Sequence, residues 1–381
     1  MRLLILHQAS VFGGAERTTK NLIQHLDRGL VRHLSVAAPL PLREHLPASI
    51  DAFFDTSGRI RHGWLSSARG LATDVSEAAS LIADASPDVV LGMMHYSAAL
   101  AVFGVKAKRL PVKTVGSFRG PVYEHMRLYE HGVRRKAFLR VVVGATARLA
   151  DRMIVPSHGT ARELVRRFLG PASRTLVIPN GIDSDQARAD ARAPADGVGD
   201  LPPHLPRLCV AARLSAEKDL GLLLEAFRRV QERAPSSLIV VGDGPDRERL
   251  QGLTEQWGLR DRVRFLGHRA NVYPYLAAAD LYVHTCHFEG FGYTMLEAMA
   301  CGCPVVATDC PYGPREIIGE NAFGVLVPMN DPGALAQGIS DLLKDSGRRS
   351  QLAELGLVRA QQLSIERMVG GYETAFRELL A

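Results

Sequence analysis

The stretch Phe288-Glu-Gly-Phe-Gly-Tyr-Thr-Met-Leu-Glu-Ala-Met-Ala300 contains two glutamates, Glu289 and Glu297, with seven residues between them. Glu289 lies in a glycine-flanked loop, and the apolar and small residues around Glu297 predict that a buried helix starts there. We expect the loop and the helix N-terminus to share one cleft. Helix N-terminal N–H groups attract phosphate, and carboxylates accept hydrogen bonds from sugar hydroxyls. The pattern therefore favours a sugar-nucleotide site.

Strand-like apolar runs alternate with helical stretches on both sides of this segment, which predicts parallel sheets covered by helices. Strands are predicted at 3–7, 34–38, 89–93, 112–117, 153–155, 208–212, 237–241, 263–266, 281–285, 304–308 and 324–327. Helices are predicted at 15–26, 74–85, 123–150, 219–233, 246–257, 332–344 and 364–380. The expected fold class is α/β, with two Rossmann-like domains whose parallel sheets face an interdomain cleft.

Composition sets the expected domain limits. Residues 1–183 form an N-terminal Rossmann-like domain, and residues 184–206, rich in Ala, Asp and Pro, are predicted to be a linker. Residues 207–363 form the second Rossmann-like domain. The final segment, 364–381, is predicted to be a helix that packs back on the first domain.

The bulk composition is that of a globular protein, with 381 residues, 46% hydrophobic and 23% charged. No uninterrupted apolar run reaches the roughly 18 residues of a membrane-spanning helix, so none is expected. The apolar part of the N-terminus is too short for a signal peptide. The five cysteines are expected to be reduced thiols in a cytoplasmic protein. Cys301-Gly-Cys303 lacks the second pair that a zinc site needs, so no metal is predicted.

The net charge of +6 is unevenly spread, because residues 1–170 carry 24 Lys and Arg against 13 Asp and Glu. Such an excess predicts an anionic partner: a membrane surface, nucleic acid or a phosphorylated substrate. The densest cluster, Arg134-Arg-Lys136 with Arg140, Arg148 and Arg152, lies on a predicted helix and is either a functional patch or a solvated helix face. Nucleic acid is disfavoured, because no aromatic residues interleave with the basic ones.

Gly13 and Gly14 follow the first strand and open a helix, where glycine lets a ligand approach the backbone and the helix end favours phosphate. A tight turn is the alternative. The pattern is not Gly-x-Gly-x-x-Gly, and the second strand ends in Ala37-Ala38 rather than an acid, so a dehydrogenase is disfavoured.

Arg213 and Lys218 follow the first strand of the second half, at the end where parallel sheets bind ligands. Two cations there suit a diphosphate, Arg as a bidentate fork and Lys as a point charge. The alternative is a surface ion pair with Glu217 or Asp219. Gly242, in Gly242-Asp-Gly-Pro245, is predicted to form a turn beside the nucleotide.

The motifs, in the order in which they occur along the chain, resemble those of glycosyltransferase family 4, a retaining group with the two-domain GT-B fold. The matching stretches are 13–17, 155–157, 178–182, 213–218, 242–244, 289–304, 309–311 and 313–317. They span nearly the whole chain, and the set in the second half is the most specific.

The resemblance implies a role for each residue of the predicted donor site. Arg213 and Lys218 would hold the donor diphosphate and offset charge on the leaving nucleotide, so neither cofactor nor metal is expected. Glu297 would accept hydrogen bonds from the ribose, and Glu289 would contact hydroxyls of the donor sugar.

Backbone groups complete the implied site. The N–H groups of Phe291, Gly292 and Tyr293 would line the sugar and phosphate positions, and Gly13 and Gly14 would let the first domain close over the diphosphate.

The implied reaction moves a hexosyl or N-acetylhexosaminyl group, with retention of configuration, from a nucleotide-diphosphate donor. The expected nucleotide is UDP. The acceptor would be a hydroxyl of a glycan or lipid-linked saccharide in bacterial envelope polysaccharide synthesis. The basic first domain would host it, in peripheral contact with the inner membrane face.

One position departs from the family pattern. Many members carry a His near the sugar, where this chain has Arg119 in Val115-Gly-Ser-Phe-Arg-Gly120. Arg119 is therefore predicted to contact a donor hydroxyl, a phosphate or an anionic acceptor. His95 is the nearest candidate for an imidazole in the cleft. The alternative is that His95 has a purely structural role.

Two other classes of function stay open on the sequence. One is another enzyme on this architecture, a sugar-nucleotide epimerase or a phosphorylase. The other is a non-catalytic protein that binds nucleotide sugars, which the replacement of the family His by Arg119 would favour.

Overall fold

The computed structural model describes residues 1–8, 13–61 and 67–381. In chain order, the strands are β1 (Arg2–His7), β2 (His33–Ala38), β3 (Ala52–Asp55), β4 (Val89–Met93), β5 (Lys113–Ser117), β6 (Arg152–Val155), β7 (Thr175–Val177), β8 (Arg207–Ala211), β9 (Ser237–Val241), β10 (Val263–Gly267), β11 (Leu281–His284), β12 (Val305–Thr308) and β13 (Val325–Val327). The helices are α1 (Gly14–His25), α2 (Leu40–Arg43), α3 (Ala68–Ala85), α4 (Met94–Ala107), α5 (Val122–Tyr129), α6 (Val133–Leu149), α7 (His158–Phe168), α8 (Ser184–Asp190), α9 (Leu220–Val230), α10 (Arg247–Gln256), α11 (Tyr273–Ala277), α12 (Tyr293–Ala300), α13 (Pro314–Ile318), α14 (Pro332–Lys344), α15 (Ser346–Gln362) and α16 (Ile365–Leu380).

The chain divides into two compact units. The first unit comprises residues 1–181 and 365–381, and the second unit comprises residues 182–364. Each has its own sheet, and the pairings between neighbouring strands are parallel in both. The predicted α/β class with two parallel-sheet domains is confirmed.

The sheet of the first unit has seven strands in the order β3-β2-β1-β4-β5-β6-β7. The chain runs outward from β1 through β2 to β3, then returns to β4 and runs outward in the opposite direction. Ligands of open parallel sheets bind outside the carboxyl ends of the strands where this direction reverses, which here is between β1 and β4.

The sheet of the second unit has six strands in the order β10-β9-β8-β11-β12-β13. Its direction reverses between β8 and β11, so the loops after these two strands define its expected ligand-binding edge. Helices cover both faces of each sheet, and the strands are accordingly buried along most of their length, with Leu4, Ile5, Ile239 and Val240 at 2% exposure or less. Such two-sided burial explains the continuous apolar runs of the sequence.

Two predicted elements differ from the structure. The stretch 184–206 is not a separate linker: it contains α8, and Ala187, Val198 and Leu201 are buried in the core of the second unit. The predicted helix 123–150 is two helices, α5 and α6. Glu130 has an extended backbone, and Gly132 caps the second helix. The break falls beside Gly132 because glycine has a low helix propensity.

The last helix, α16, belongs to the first unit. Met368, Val369, Tyr372 and Phe376 lie in the hydrophobic cluster that β1 and α1 also build. Among the described residues, none of the helices combines the length and the apolar character that crossing a bilayer requires.

Candidate functional site

The ligand-binding edge of the second unit is built by the loops that follow β8 and β11. The short 3-10 helix Ala216–Lys218 ends at Lys218, and Glu289 comes five residues after β11. Lys218 donates a hydrogen bond to Glu289, and the two side chains are only 19% and 13% exposed. Thr285 ties the loops together, because its hydroxyl donates to the Lys218 carbonyl at 2.9 Å. Two residues predicted separately are thus one ion pair at the point where the sheet reverses direction.

The ion pair keeps both of its groups charged. Burial opposes the charge on Lys218, but the Glu289 carboxylate outweighs it and holds the pKa of the ammonium above its ordinary value. Burial alone would raise the pKa of Glu289, but the attraction of Lys218 prevails and that pKa lies below its ordinary value. The site therefore offers a fixed cation and a fixed hydrogen-bond acceptor at neutral pH.

His284, the last residue of β11, lies next to Glu289. Its Nε2 is 3.6 Å from a Glu289 carboxylate oxygen, and the side chain is 2% exposed. Burial lowers the pKa of His284 to about 4, although Glu289 opposes the shift. His284 is therefore a neutral imidazole at pH 7. Its Nε2 is a buried nitrogen that has no hydrogen-bond partner among the described residues.

Arg213 lies two residues after β8 and is exposed. It forms no ion pair within residues 1–8, 13–61 and 67–381, so the predicted alternative of a pair with Glu217 or Asp219 is not what the structure has. The turn at Gly242 packs against this loop: an added Cβ at Gly242, where φ is 134°, would lie 1.9 Å from the Ala212 carbonyl oxygen. Only glycine allows the two strand ends to come this close.

Helix α12 begins at Tyr293, and Gly292 caps it with a φ of 99°. The prediction that Glu297 starts this helix was wrong, because Glu297 lies one turn inside it and is 2% exposed. Phe291 is also buried, at 3% exposure, and fixes the loop in the core. The N–H groups of the first helical turn point out of the helix end, as they do in any helix. The helix thus begins four residues earlier than expected, and the binding of phosphate at its end stays a prediction.

A set of possible metal ligands surrounds Glu289. One atom each of His284, Cys286 and Glu289 lie within 4.8 Å of one another. Cys286 also lies 3.2 Å, sulfur to sulfur, from Cys310. Burial, chiefly, raises the pKa of the Cys286 thiol well above its ordinary value, so the thiolate that a metal needs is disfavoured. Glu289 is already paired with Lys218. We therefore keep the prediction of a metal-free site as a prediction.

In the first unit, Gly13 and Gly14 are exposed at the start of α1, after β1. The buried Glu16 carboxylate accepts the Gly13 N–H at 2.8 Å, and its other oxygen lies 3.1 Å from the Nε2 of His7. His7, at 0% exposure, also contacts the Thr19 hydroxyl at 2.8 Å. A buried network thus fixes the glycine turn.

Arg119 lies two residues beyond β5, at the same edge of the first sheet. Its Nη1 donates to the Tyr372 hydroxyl at 3.0 Å and to the Ser117 hydroxyl at 3.4 Å. Its Nη2 donates to the Thr18 hydroxyl at 3.2 Å and to the Asn180 side-chain oxygen. The guanidinium is therefore fixed by four neutral oxygens from four separate parts of the first unit.

His95 is in the first turn of α4, next to the Arg119 loop. Its Nε2 lies 3.2 Å from the Gly120 carbonyl oxygen, and its ring packs edge-on against Phe118 at 4.7 Å between centroids. Burial lowers the pKa of His95 to about 4. These contacts suit a structural role, in which the neutral imidazole supports the backbone next to Arg119.

Three residues at these edges were not predicted as site residues: His284, Tyr372 and Glu16. The strand-ending position of His284 and the Gly-Gly-Ala-Glu spacing of Glu16 were visible. Tyr372 comes 253 residues after Arg119, and only folding brings the two together.

The two parallel-sheet units have the fold of the GT-B glycosyltransferases. Anabaena HepE, solved in complex with UDP, superposes on the chain with a TM-score of 0.78, covering 99% of this chain and 100% of that one at 22% identity. At this identity, the match bears on the fold. The family model "Glycosyltransferase Family 4" matches residues 12–186, and the model "Glycosyl transferases group 1" matches residues 198–357. The chain belongs to glycosyltransferase family 4.

Curated relatives match part of the chain. One is the N-acetylgalactosamine-N,N'-diacetylbacillosaminyl-diphospho-undecaprenol 4-alpha-N-acetylgalactosaminyltransferase of Campylobacter jejuni, 28% identical over 56% of this chain and 56% of that protein. Another is the D-inositol 3-phosphate glycosyltransferase of Xylanimonas cellulosilytica, 33% identical over 54% of this chain and 51% of that protein. The matches thus span about half the length of these relatives.

Proposed function

We propose that the protein is a retaining glycosyltransferase that moves a sugar from a UDP-sugar to a hydroxyl of a glycan or lipid-linked saccharide in bacterial envelope polysaccharide synthesis. The observation that carries the proposal is the Lys218–Glu289 pair at the reversal point of the second sheet, beside the N-terminus of α12. Family membership and the UDP complex of HepE support the nucleotide. The Campylobacter relative's diphospho-undecaprenol-linked acceptor supports a lipid-linked saccharide.

The second unit would bind the donor. Arg213 is exposed and unpaired within the described chain, so it is available to a phosphate oxygen, and Lys218 adds a second positive charge. Glu289 holds the Lys218 ammonium in place and retains carboxylate lone pairs for sugar hydroxyls. Glu297 would accept from the ribose, and the Tyr293 end of α12 would receive the phosphates.

The reaction would break the bond between the anomeric carbon and the diphosphate oxygen while the acceptor oxygen attacks from the same face. The acceptor's proton would pass to the departing phosphate oxygen, and the products would be the glycoside and UDP. The protein would contribute positioning and charge stabilisation. Arg213 and Lys218 would stabilise the negative charge that develops on the leaving group, so we expect no requirement for a metal.

A donor panel tests this function. Release of UDP from a set of UDP-sugars is measured for the wild type and for Lys218→Ala and Glu289→Ala. Each variant should lose about 100-fold in kcat/KM, because Lys218→Ala removes a positive charge at the leaving group and Glu289→Ala removes the carboxylate that holds this charge in place and contacts the sugar. Lys344→Ala, which removes an exposed lysine at the end of α14, is the matched control. If the wild type turns over a donor and both site variants match it, the site assignment is wrong. An epimerised donor without UDP release would identify an epimerase instead.

The first unit would meet the acceptor at an anionic membrane surface. Helix α6 exposes Val133 and Val141, at 84% and 66%, on one face with the exposed side chains of Arg134, Arg140 and Arg148. Apolar residues among arginines are typical of helices that lie in the membrane interface. The arginines would attract anionic headgroups, and the valines would enter the acyl boundary.

Co-sedimentation with vesicles of phosphatidylglycerol and phosphatidylcholine tests the membrane contact. Binding should be present at low salt and weaken at high salt, because exposed charges are screened. Val141→Asp should reduce binding, whereas Val358→Asp, at a valine 47% exposed on α15, should not. Absence of binding at low salt would refute the contact.

A further inference from the structure

The charge of Arg119 has no counter-ion in the part of the chain that the structure describes. Its four hydrogen-bond acceptors, on Thr18, Ser117, Asn180 and Tyr372, are all neutral oxygens. Three of these side chains are 0% exposed and Asn180 is 7% exposed, so the acceptors around the partly exposed Arg119 are buried. Partly withdrawing a cation from water is costly unless an anion compensates for it.

Tyr372 is the anchor of this arrangement. Its hydroxyl lies 3.0 Å from both the Arg119 Nη1 and the Ser117 hydroxyl oxygen. Because α16 packs into the hydrophobic cluster of the first unit through Met368, Val369 and Phe376, the tyrosine ring cannot move independently of the core. The Nη1 and Nη2 groups of Arg119 both donate to protein oxygens. Its Nε–H has no hydrogen-bond partner among the described residues.

The location suits a ligand. Arg119 follows β5, which neighbours β4 at the reversal point of the first sheet, and the residue is partly exposed rather than sealed in the core. The carboxylate of Glu16, on the same helix as Thr18, is occupied by Gly13 and His7 and does not pair with Arg119. A guanidinium held in one orientation, with its positive charge uncompensated and its Nε–H left to donate, suits an oxyanion.

We propose that Arg119 binds a phosphate-class oxyanion of a substrate and that Tyr372, on the last helix, is the residue that positions it. The proposal rests on the proposed function, because the anion is a phosphate of the nucleotide donor or of a lipid-linked acceptor. Among the open roles of Arg119, it selects the anionic one and excludes a contact to a donor hydroxyl alone. It also gives α16 a part in ligand binding, although Tyr372 comes 253 residues after Arg119 in the sequence.

The test measures binding of inorganic pyrophosphate and of UDP to the full-length protein by calorimetry. Pyrophosphate is titrated in the Lys218→Ala background, which removes one of the two cations proposed to bind the donor diphosphate. Adding Arg119→Gln should weaken pyrophosphate binding at least about tenfold, and adding Arg119→Lys should weaken it less, because the charge is kept but the fixed orientation of the guanidinium is lost. Adding Arg127→Gln, at an arginine 73% exposed on α5, should leave it within about twofold.

Tyr372→Phe keeps the ring and removes only the hydroxyl. In the same background it should weaken pyrophosphate binding about three- to tenfold, and in the Arg119→Gln protein it should have no further effect, because it acts through that residue. A purely structural tyrosine would lower the melting temperature in both proteins without this dependence on Arg119.

UDP identifies the source of the anion. If UDP binding to otherwise wild-type protein falls with Arg119→Gln, the ligand is the donor diphosphate; if only pyrophosphate binding falls, it is the acceptor phosphate, and both support the proposal. Unchanged pyrophosphate affinity in Arg119→Gln would overturn it, and equal effects of Tyr372→Phe with and without Arg119 would overturn the positioning role. Failure of the proposed function appears separately, as a wild type that releases no UDP from any donor.

Discussion

Replacing His284 by Gln should make the second unit less sensitive to acid. The imidazole has an ordinary pKa of 6.5 and a pKa of about 4 in the folded protein, because it is buried. Above pH 6.5 it is neutral in both states and has no effect on the pH dependence. As the pH falls from 6.5 towards 4, the unfolded chain takes up a proton that the folded chain does not, so stability is lost.

The magnitude follows from the two pKa values. At about pH 5, the unfolded imidazole is almost fully protonated and the folded one mostly neutral, which amounts to about 2 kcal/mol of lost stability. The loss would approach about 3.4 kcal/mol once the pH is below both values. His95 shifts in the same direction in the first unit, so the unfolding of the second unit must be followed separately.

The assay is urea unfolding at about pH 7.5 and pH 5. Hydrogen exchange of amides in β11 and β12 reports the unfolding of the second unit. The wild type should lose about 2 kcal/mol more between the two pH values than His284→Gln does. Comparing differences removes any cost of the substitution that does not depend on pH. His287→Gln, which removes an imidazole 42% exposed, is the control. Equal losses in wild type and His284→Gln, within about 0.5 kcal/mol, would refute the reasoning.

Further expectations concern the turns and the charges of the two sites. Gly242→Ala should destabilise the protein by at least about 3 kcal/mol in urea unfolding, since the new Cβ would lie 1.9 Å from a carbonyl oxygen. Gly252→Ala, in an exposed turn of α10 with nothing within 4 Å, should instead stabilise it by about 0.5–1 kcal/mol. Glu16→Gln should raise the KM for the donor or acceptor more than it lowers kcat, because it loosens the glycine turn; an unchanged KM would contradict that role. Transfer should continue in excess EDTA, and a loss restored by a divalent cation would show that the site needs a metal.

The sequence predicted the sheets better than the helices between them. All six strands of the second unit were predicted within a residue or two, because each is an apolar run bounded by turn residues. The strands β3 and β7 were missed, since both are short and only partly buried. Helix α4 was also missed: it is buried along most of its length and shows no alternation of polar and apolar residues.

The candidate site divides in the same way. The motifs after β8 and β11 identified Arg213, Lys218, Glu289 and Glu297 as a group, but not the ion pair that joins Lys218 to Glu289. Burial of His284 next to Glu289 could not be predicted, because a lone histidine at the end of a strand carries no sign of what will cover it. The predicted donor roles of these residues remain to be tested.

The sequence by itself determined the α/β class, most of the strands and the family, because each depends on local patterns of apolar residues, glycines and charges. The tertiary structure decided which distant groups meet. It placed Tyr372 against Arg119 across 253 residues, and it drew 184–206 into the core of the second unit. Local propensity cannot encode such contacts, because they are selected by the packing of whole helices and strands against one another.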